Sequence, residues 1–269
     1  MKSLVLTGFG INCEEEMSSA YKLQNVNVKI AHLNEIFSGK YSIHDFDILN
    51  FPGGFSFGDD IGSGKVLVNK IKYKKIKSAK YFIDEIDKFI SDGKIIFGVC
   101  NGFQVLTKLG ILPNIGGNYE QEVTLTNNDS GKFEDRWVKC KINNFSKTAI
   151  VKDKQFPKNL IELPVRHGEG KLIIKNEEIK NKIIEQNLNW LSYADKSGNI
   201  TGEYPANPNG SDLNCAGLIN STGNVIGMMP HPEAFLSLYN HPNWGKLKRE
   251  NQNISEDGEG LKLIKNLIK

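Results

Sequence analysis

An apolar run, Lys94-Ile95-Ile96-Phe97, breaks directly into Gly98-Val99-Cys100-Asn101-Gly102-Phe103-Gln104. The pattern reads as a buried strand turning sharply into a helix, with Cys100 on the bend. Gly98 and Gly102 stand at the two positions where a side chain would crowd such a turn. A nucleophile elbow of this kind requires a sheet with a helix packed against it, and it lifts its central side chain to the sheet edge. The N–H groups and macrodipole of the following helix favour a thiolate there. A lone cysteine is more often a small buried residue. The flanking glycines and the strand-to-helix context point instead to an attacking sulfur.

The rest of the first half agrees with an α/β fold. Strand patterns at 4–7, 26–30, 47–51 and 94–97 alternate with helical patterns at 14–24, 79–91 and 101–109. Such alternation predicts a mostly parallel central sheet flanked by helices. Functional residues are then expected beyond the C-terminal ends of the strands. The second half carries extra β segments, at 123–126, 137–142, 171–174 and 216–219, and Ser221-Thr222-Gly223-Asn224 reads as a turn between two strands. A single domain over 1–269 is expected, with a core of about 3–236. An extension of about 237–269 closes on a short helix bearing Leu261, Ile264, Leu267 and Ile268 on one side.

A thiol nucleophile needs a base, and the base needs an orienting group. Of five histidines, His231 is the best placed. It follows the apolar Val225-Ile226-Gly227-Met228-Met229 and lies between Pro230 and Pro232, which stiffen the backbone. Glu233, two residues on, is within reach of one ring nitrogen. His32 reads as structural at a strand end, and His44 and His241 as solvated turn residues. A third element is Pro52-Gly53-Gly54-Phe55-Ser56-Phe57-Gly58-Asp59, after the strand pattern at 47–51. Backbone N–H groups at Gly54 and Asn101 are candidates for an oxyanion hole.

Taken together, these segments resemble the class I, triad-type glutamine amidotransferases, which have a flavodoxin-like sheet. Within that class the chain is similar to the glutaminase subunits of phosphoribosylformylglycinamidine synthase. The broader likeness rests on residues 98–104 with Pro230-His231-Pro232-Glu233. The narrower one rests on Gly10-Ile11-Asn12-Cys13-Glu14, residues 52–59, Arg136-Trp137-Val138, His167-Gly168-Glu169-Gly170 and residues 204–211, in the expected order. In the compact form of these subunits an arginine follows the Phe-Ser-x-Gly-Asp stretch; here Asp60-Ile61-Gly62-Ser63-Gly64-Lys65 stands there, as in a longer variant.

The resemblance implies Cys100, His231 and Glu233 as the catalytic triad. It implies glutamine contacts at Gln104, Gly53 and Phe55, and glutamine hydrolysed through a cysteine thioester. It also implies a partner synthetase subunit that uses ATP and Mg to convert formylglycinamide ribonucleotide to formylglycinamidine ribonucleotide in purine (IMP) biosynthesis, and a small accessory subunit. No cofactor or metal is expected in this chain. Three alternatives stay open on the residues alone: service to another synthetase, a stand-alone cysteine hydrolase, and a catalytically silent binding module.

Composition narrows the field. A net charge of +3 implies no polyelectrolyte partner, and the basic run at 70–77 reads as a solvated face. Only Arg136, Arg166 and Arg249 are arginine. The first two fall inside motif-like segments and are candidate carboxylate or structural anchors. Cys13, Cys100, Cys140 and Cys215 match no zinc spacing and no disulfide scaffold, and Cys140 and Cys215 read as strand interior. No stretch reaches the length of a membrane span and the N-terminus lacks a signal-peptide pattern, so neither nucleic acid nor membrane is an expected partner and a cytoplasmic location is expected. Gly62-Ser63-Gly64-Lys65 is not a phosphate loop, since Asp59 replaces the first glycine and Val66 the Ser/Thr.

Overall fold

A computed structural model describes residues 1–143, 150 and 156–268. In chain order its elements begin β1 (Lys2–Thr7), α1 (Glu14–Lys22), β2 (Asn27–His32), α2 (Leu33–Phe37), β3 (Ile48–Phe51), α3 (Lys65–Tyr73), α4 (Phe82–Ser91), β4 (Ile95–Val99) and α5 (Asn101–Leu109). They continue β5 (Val123–Thr126), β6 (Glu134–Ile142), β7 (Leu160–His167), β8 (Lys171–Ile174), α6 (Glu177–Glu185), β9 (Asn189–Ala194), β10 (Cys215–Ile219), β11 (Val225–Met228), α7 (Trp244–Glu250) and α8 (Glu259–Asn266).

The main sheet has nine strands in the order β2-β1-β3-β4-β11-β10-β9-β6-β7. From β2 to β11 all neighbours are parallel, and from β11 to β7 all are antiparallel. The parallel half has the 2-1-3-4-5 order of flavodoxin-like folds, with β11 as its fifth strand. β5 and β8 form a separate antiparallel pair. β3 and β11 are buried along their whole length and β4 from Ile96 onward, as expected for parallel strands covered on both faces. α5 buries all but Lys108 of its nine residues.

Several elements carried no clear signal. β7 contains Pro164, which breaks the strand pattern in the sequence. The strand lies at the sheet edge, where the missing N–H costs no ladder bond. α6 buries only Ile183, so its apolar face is too narrow to read. Two histidines depart from the solvated setting expected of their turns. His241 is buried against Trp137 and Phe235, with ring centroids at 4.6 and 5.6 Å. His44 is half-buried and bonded to Glu85 Oε2 at 2.8 Å. In both cases a distant segment covers a turn that is polar in its own sequence.

α8 belongs to the packed core. Leu261, Leu263, Ile264 and Leu267 are buried, and each contributes about 1.5–3 kcal/mol relative to exposure. The helix sits under the turn that carries His231. A Cβ on Gly260 would stand 1.9 Å from the Pro232 carbonyl oxygen, so only glycine permits this approach. The Glu259 carboxylate accepts from the Glu162 N–H of β7 at 2.7 Å, tying the same helix to the neighbouring strand.

Candidate active site

The C-terminal ends of β1, β3, β4 and β11 lie on one edge of the sheet, and each delivers part of the site. β4 ends at Val99, and Cys100 takes φ 52° and ψ −106° as the N-cap of α5. This is a positive φ at a non-glycine residue, sustained by the packing around it. A Cβ on Gly98 would meet Leu106 Cδ1 at 2.5 Å, and one on Gly102 would meet the Phe51 carbonyl oxygen at 1.8 Å. Gly98 is therefore demanded by the packing of α5 back onto β4, and Gly102 by the close approach of α5 to β3. The Cys100 N–H donates to Met228 O at 2.8 Å, which pins the bend to the end of β11. Its thiol donates to the Arg166 carbonyl at 3.6 Å.

β11 delivers the imidazole. The His231 N–H donates to the Pro164 carbonyl of β7 at 2.8 Å, and His231 Nδ1 meets Glu233 Oε1 at 2.6 Å. Both side chains are almost wholly buried. Burial alone would push the imidazole down. The Glu233 carboxylate, followed by the charge and hydrogen bonding of Cys100 and the hydrogen bonding of Cys13, outweighs it and holds His231 well above its usual range. Nδ1–H donating to Glu233 leaves Nε2 as the atom free to exchange a proton with a bound group. Glu233 Oε2 is buried without a hydrogen-bond partner.

With this geometry in view, the likeness to known proteins has a physical basis. The model of the CobB/CobQ-like glutamine amidotransferase domain matches residues 1–269. The chain belongs to this family. It is 37% identical over 269 residues to a phosphoribosylformylglycinamidine synthase subunit PurQ from Dehalococcoides mccartyi, covering 100% of this chain and 97% of the relative. It is 39% identical over 251 residues to the subunit of the same name from Methanococcus maripaludis, covering 93% and 87%. The solved PurLQS structure from Thermotoga maritima matches with a TM-score of 0.69 and 26% identity over 99% of this chain and 97% of that one.

The rest of this amidotransferase site follows from the loop after β3. The loop pairs with residues 10–12: Phe55 N–H donates to Gly10 O at 2.8 Å and Asn12 N–H to Gly53 O at 3.2 Å. Ile11 and Gly54 face each other between these bonds, so the bridge does not use the Gly54 N–H. Gly54 adopts φ +142°, and its ideal Cβ would stand 2.6 Å from Gly10 O. The Asn101 N–H is in the first turn of α5, where no intrahelical acceptor exists. Gly53 lies against the imidazole, since a Cβ there would be 2.7 Å from His231 Cε1.

The two remaining glutamine contacts implied by resemblance differ in setting. Gln104 is buried, donates to Glu169 O at 2.6 Å and accepts from Asn101 Nδ2 at 2.9 Å, so its amide fastens the 167–170 turn to α5. Phe55 is 47% exposed and lies 6.3 Å from Phe133 between ring centroids. Arg136 is bonded to Glu134 and Tyr204, whereas Arg166 is half-exposed beside Asp135.

Cys13 is the residue that sequence reasoning left out of the site. It caps the start of α1, and its sulfur lies 3.2 Å from where a Gly53 Cβ would stand, next to the His231 ring. Burial pushes its thiol up, so it rests as a neutral group. The available signal was elimination: it is the one cysteine besides Cys100 that does not lie in a strand interior.

His167 ends β7 and is also buried. Its Nδ1–H donates to Asn128 Oδ1 at 3.0 Å. Burial, then the charge of His231, pushes its pKa down to about 3. The folded chain therefore keeps His167 neutral, while the unfolded chain protonates it below about pH 6.5. The unfolded state then binds more protons, and stability falls as pH drops from about 6.5 toward 3. His167→Gln is expected to remove roughly 2 kcal/mol of the stability difference between pH 7 and pH 5. Urea unfolding of both proteins at the two pH values measures it; equal differences would show that His167 is not the group responsible.

Proposed function

We propose that this chain is the glutaminase subunit of phosphoribosylformylglycinamidine synthase, hydrolysing glutamine and passing ammonia to an ATP-dependent synthetase subunit. The carrying observation is a cysteine on a strained elbow beside a buried, carboxylate-held histidine. The Cys100 thiolate attacks the glutamine side-chain carbonyl carbon. Negative charge gathers on the carbonyl oxygen, where the N–H groups of Gly54 and Asn101 hold it. His231 gives its proton to the departing nitrogen, ammonia leaves and a γ-glutamyl thioester remains. Water, deprotonated by His231, then attacks the thioester carbonyl; sulfur leaves and glutamate is released. Glu233 keeps the imidazole in the tautomer that presents Nε2 and stabilises its charged form.

The ammonia is consumed by the synthetase, which converts formylglycinamide ribonucleotide to formylglycinamidine ribonucleotide in purine biosynthesis. ATP and Mg are used by that partner, and this chain takes no cofactor of its own. Free ammonia is protonated in water and loses its nucleophilicity, so a closed path between the subunits suits the chemistry. A small accessory subunit and a cytoplasmic location complete the reading. Among the described residues no helix is long and apolar enough to cross a membrane. The test is glutamate release from glutamine by the chain alone and with the synthetase, ribonucleotide and ATP. Strong stimulation on assembly is expected. Full activity alone, indifferent to the synthetase, would mean a free-standing hydrolase.

A further inference from the structure

The loop after β3 is bound at both ends to one face of α5. Asn101, Gln104 and Lys108 lie three and four residues apart along the helix and so share that face. Near Gly54, the Ser56 N–H donates to Asn101 Oδ1 at 3.4 Å. At the far end, Lys108 Nζ donates to Ser63 O at 2.6 Å. Asp59 closes the loop on itself, accepting from Ser63 Oγ and from the Gly64 N–H, both at 3.1 Å. The 167–170 turn reaches the same place: the Glu169 carboxylate accepts from the Ser63 N–H at 3.2 Å and lies 3.9 Å from Lys108 Nζ. We infer that Glu169 is a positioning residue for the reaction. With Lys108 it latches the β3 loop to the 167–170 turn, and so fixes the loop that presents the Gly54 N–H to the oxyanion. The inference rests on the glutaminase reading of the site.

The latch is shielded from water. The Lys108 and Glu169 side chains are 11% and 23% exposed, and burial pushes the Lys108 ammonium down despite the carboxylates of Glu169 and Asp59 beside it. A charged pair in such a setting is screened weakly and holds its geometry. Ser63 is gripped from both sides, its N–H by Glu169 and its carbonyl by Lys108. The turn is held in return, since Gln104 Nε2 donates to Glu169 O at 2.6 Å and Gln104 Oε1 accepts from Asn101 Nδ2 at 2.9 Å. Three residues before Glu169, the Arg166 carbonyl accepts the Cys100 thiol. A ring of contacts thus runs from Cys100 through Arg166, Glu169, Ser63, Ser56 and Asn101 back to the elbow, and the Ser63–Glu169 bond joins its two halves. An oxyanion donor lowers the barrier only where it is held at the place the charge develops. Loosening this loop therefore costs rate more than it costs glutamine affinity.

Glutamate release by Glu169→Ala, Glu169→Gln and Lys108→Met, with the synthetase, ribonucleotide and ATP present, tests the latch. Glu169→Ala is expected to lower kcat by about 10–100-fold with KM within about threefold, a fraction of the loss on removing a whole oxyanion donor. Glu169→Gln keeps an oxygen for the Ser63 N–H and should recover most of that loss. Lys108→Met loosens the latch from the side of α5 and should act in the same direction; combined with Glu169→Ala it should add less than the two effects taken separately. A raised KM at unchanged kcat, with glutamine at 169 as poor as alanine, would overturn the proposal and mean that the carboxylate binds the α-ammonium of the substrate. Unchanged kcat in both Glu169→Ala and Lys108→Met would overturn it as well. Hydrogen exchange, which needs no turnover, separates the latch from the glutaminase reading: in Glu169→Ala the amides of residues 55–65 should exchange at least tenfold faster. If the unmodified chain releases no glutamate even in the full mixture, the glutaminase reading fails, while unaltered exchange of residues 55–65 would overturn the latch itself.

Discussion

Cys100→Ala is expected to lower glutamine hydrolysis by about 10⁴-fold or more while leaving the fold intact. The rate loss follows from covalent chemistry: without sulfur no thioester forms, and what remains is binding and oxyanion stabilisation. The fold should tolerate the change because the thiol bonds only weakly to its surroundings, to the Arg166 carbonyl at 3.6 Å and to the His231 imidazole. The elbow itself is held by glycine contacts and by the Cys100 N–H to Met228 bond, none of which needs the side chain. Removing one sulfur from a buried position costs roughly 1 kcal/mol. Glutamate release and a thermal unfolding midpoint, measured on the same preparation, separate the two effects. Near-normal turnover would exclude Cys100 as the nucleophile. In that case Cys13, beside the same imidazole, is the sulfur to examine next.

Glu233→Gln is expected to slow turnover by about 10²–10⁴-fold with a much smaller effect on KM. The carboxylate accepts from His231 Nδ1 at 2.6 Å; an amide nitrogen in its place would donate to Nδ1 and force the proton onto Nε2. The imidazole is then in the wrong tautomer to take a proton. It also loses the charge that chiefly offsets its burial, so its pKa should fall. The acid limb of the pH–rate profile is therefore expected to shift to lower pH. Acid quenching with labelled glutamine should still trap thioester, since the sulfur is unchanged. A variant with normal kcat and an unmoved pH profile would remove Glu233 from the reaction.

Much of this site was legible because its signals are local. The elbow needs Gly98 and Gly102 within four residues of one another, and His231 and Glu233 meet across a single proline. The parallel strands are short apolar runs separated by turn residues. What escaped was set by contacts between distant segments. Cys13 is drawn to His231 because the chain after β1 pairs with the Gly53 loop, a contact that the local pattern around residue 13 does not reveal. His241 looked like a turn residue until Trp137 and Phe235 covered it. Pro164 hid an edge strand whose carbonyl holds the His231 N–H.

The seat beneath the His231 turn has a consequence for synthesis. Chains are made from the N-terminus, so β4 and the Cys100 elbow emerge first, His231 follows much later, and α8 later still. Gly260 and the Pro232 carbonyl meet only when α8 has left the ribosome. A nascent chain thus carries its nucleophile without a base, then a base without its support. A nascent chain that has not yet reached His231 cannot cleave glutamine by this route, so no ammonia is released while the first two thirds of the subunit are being made.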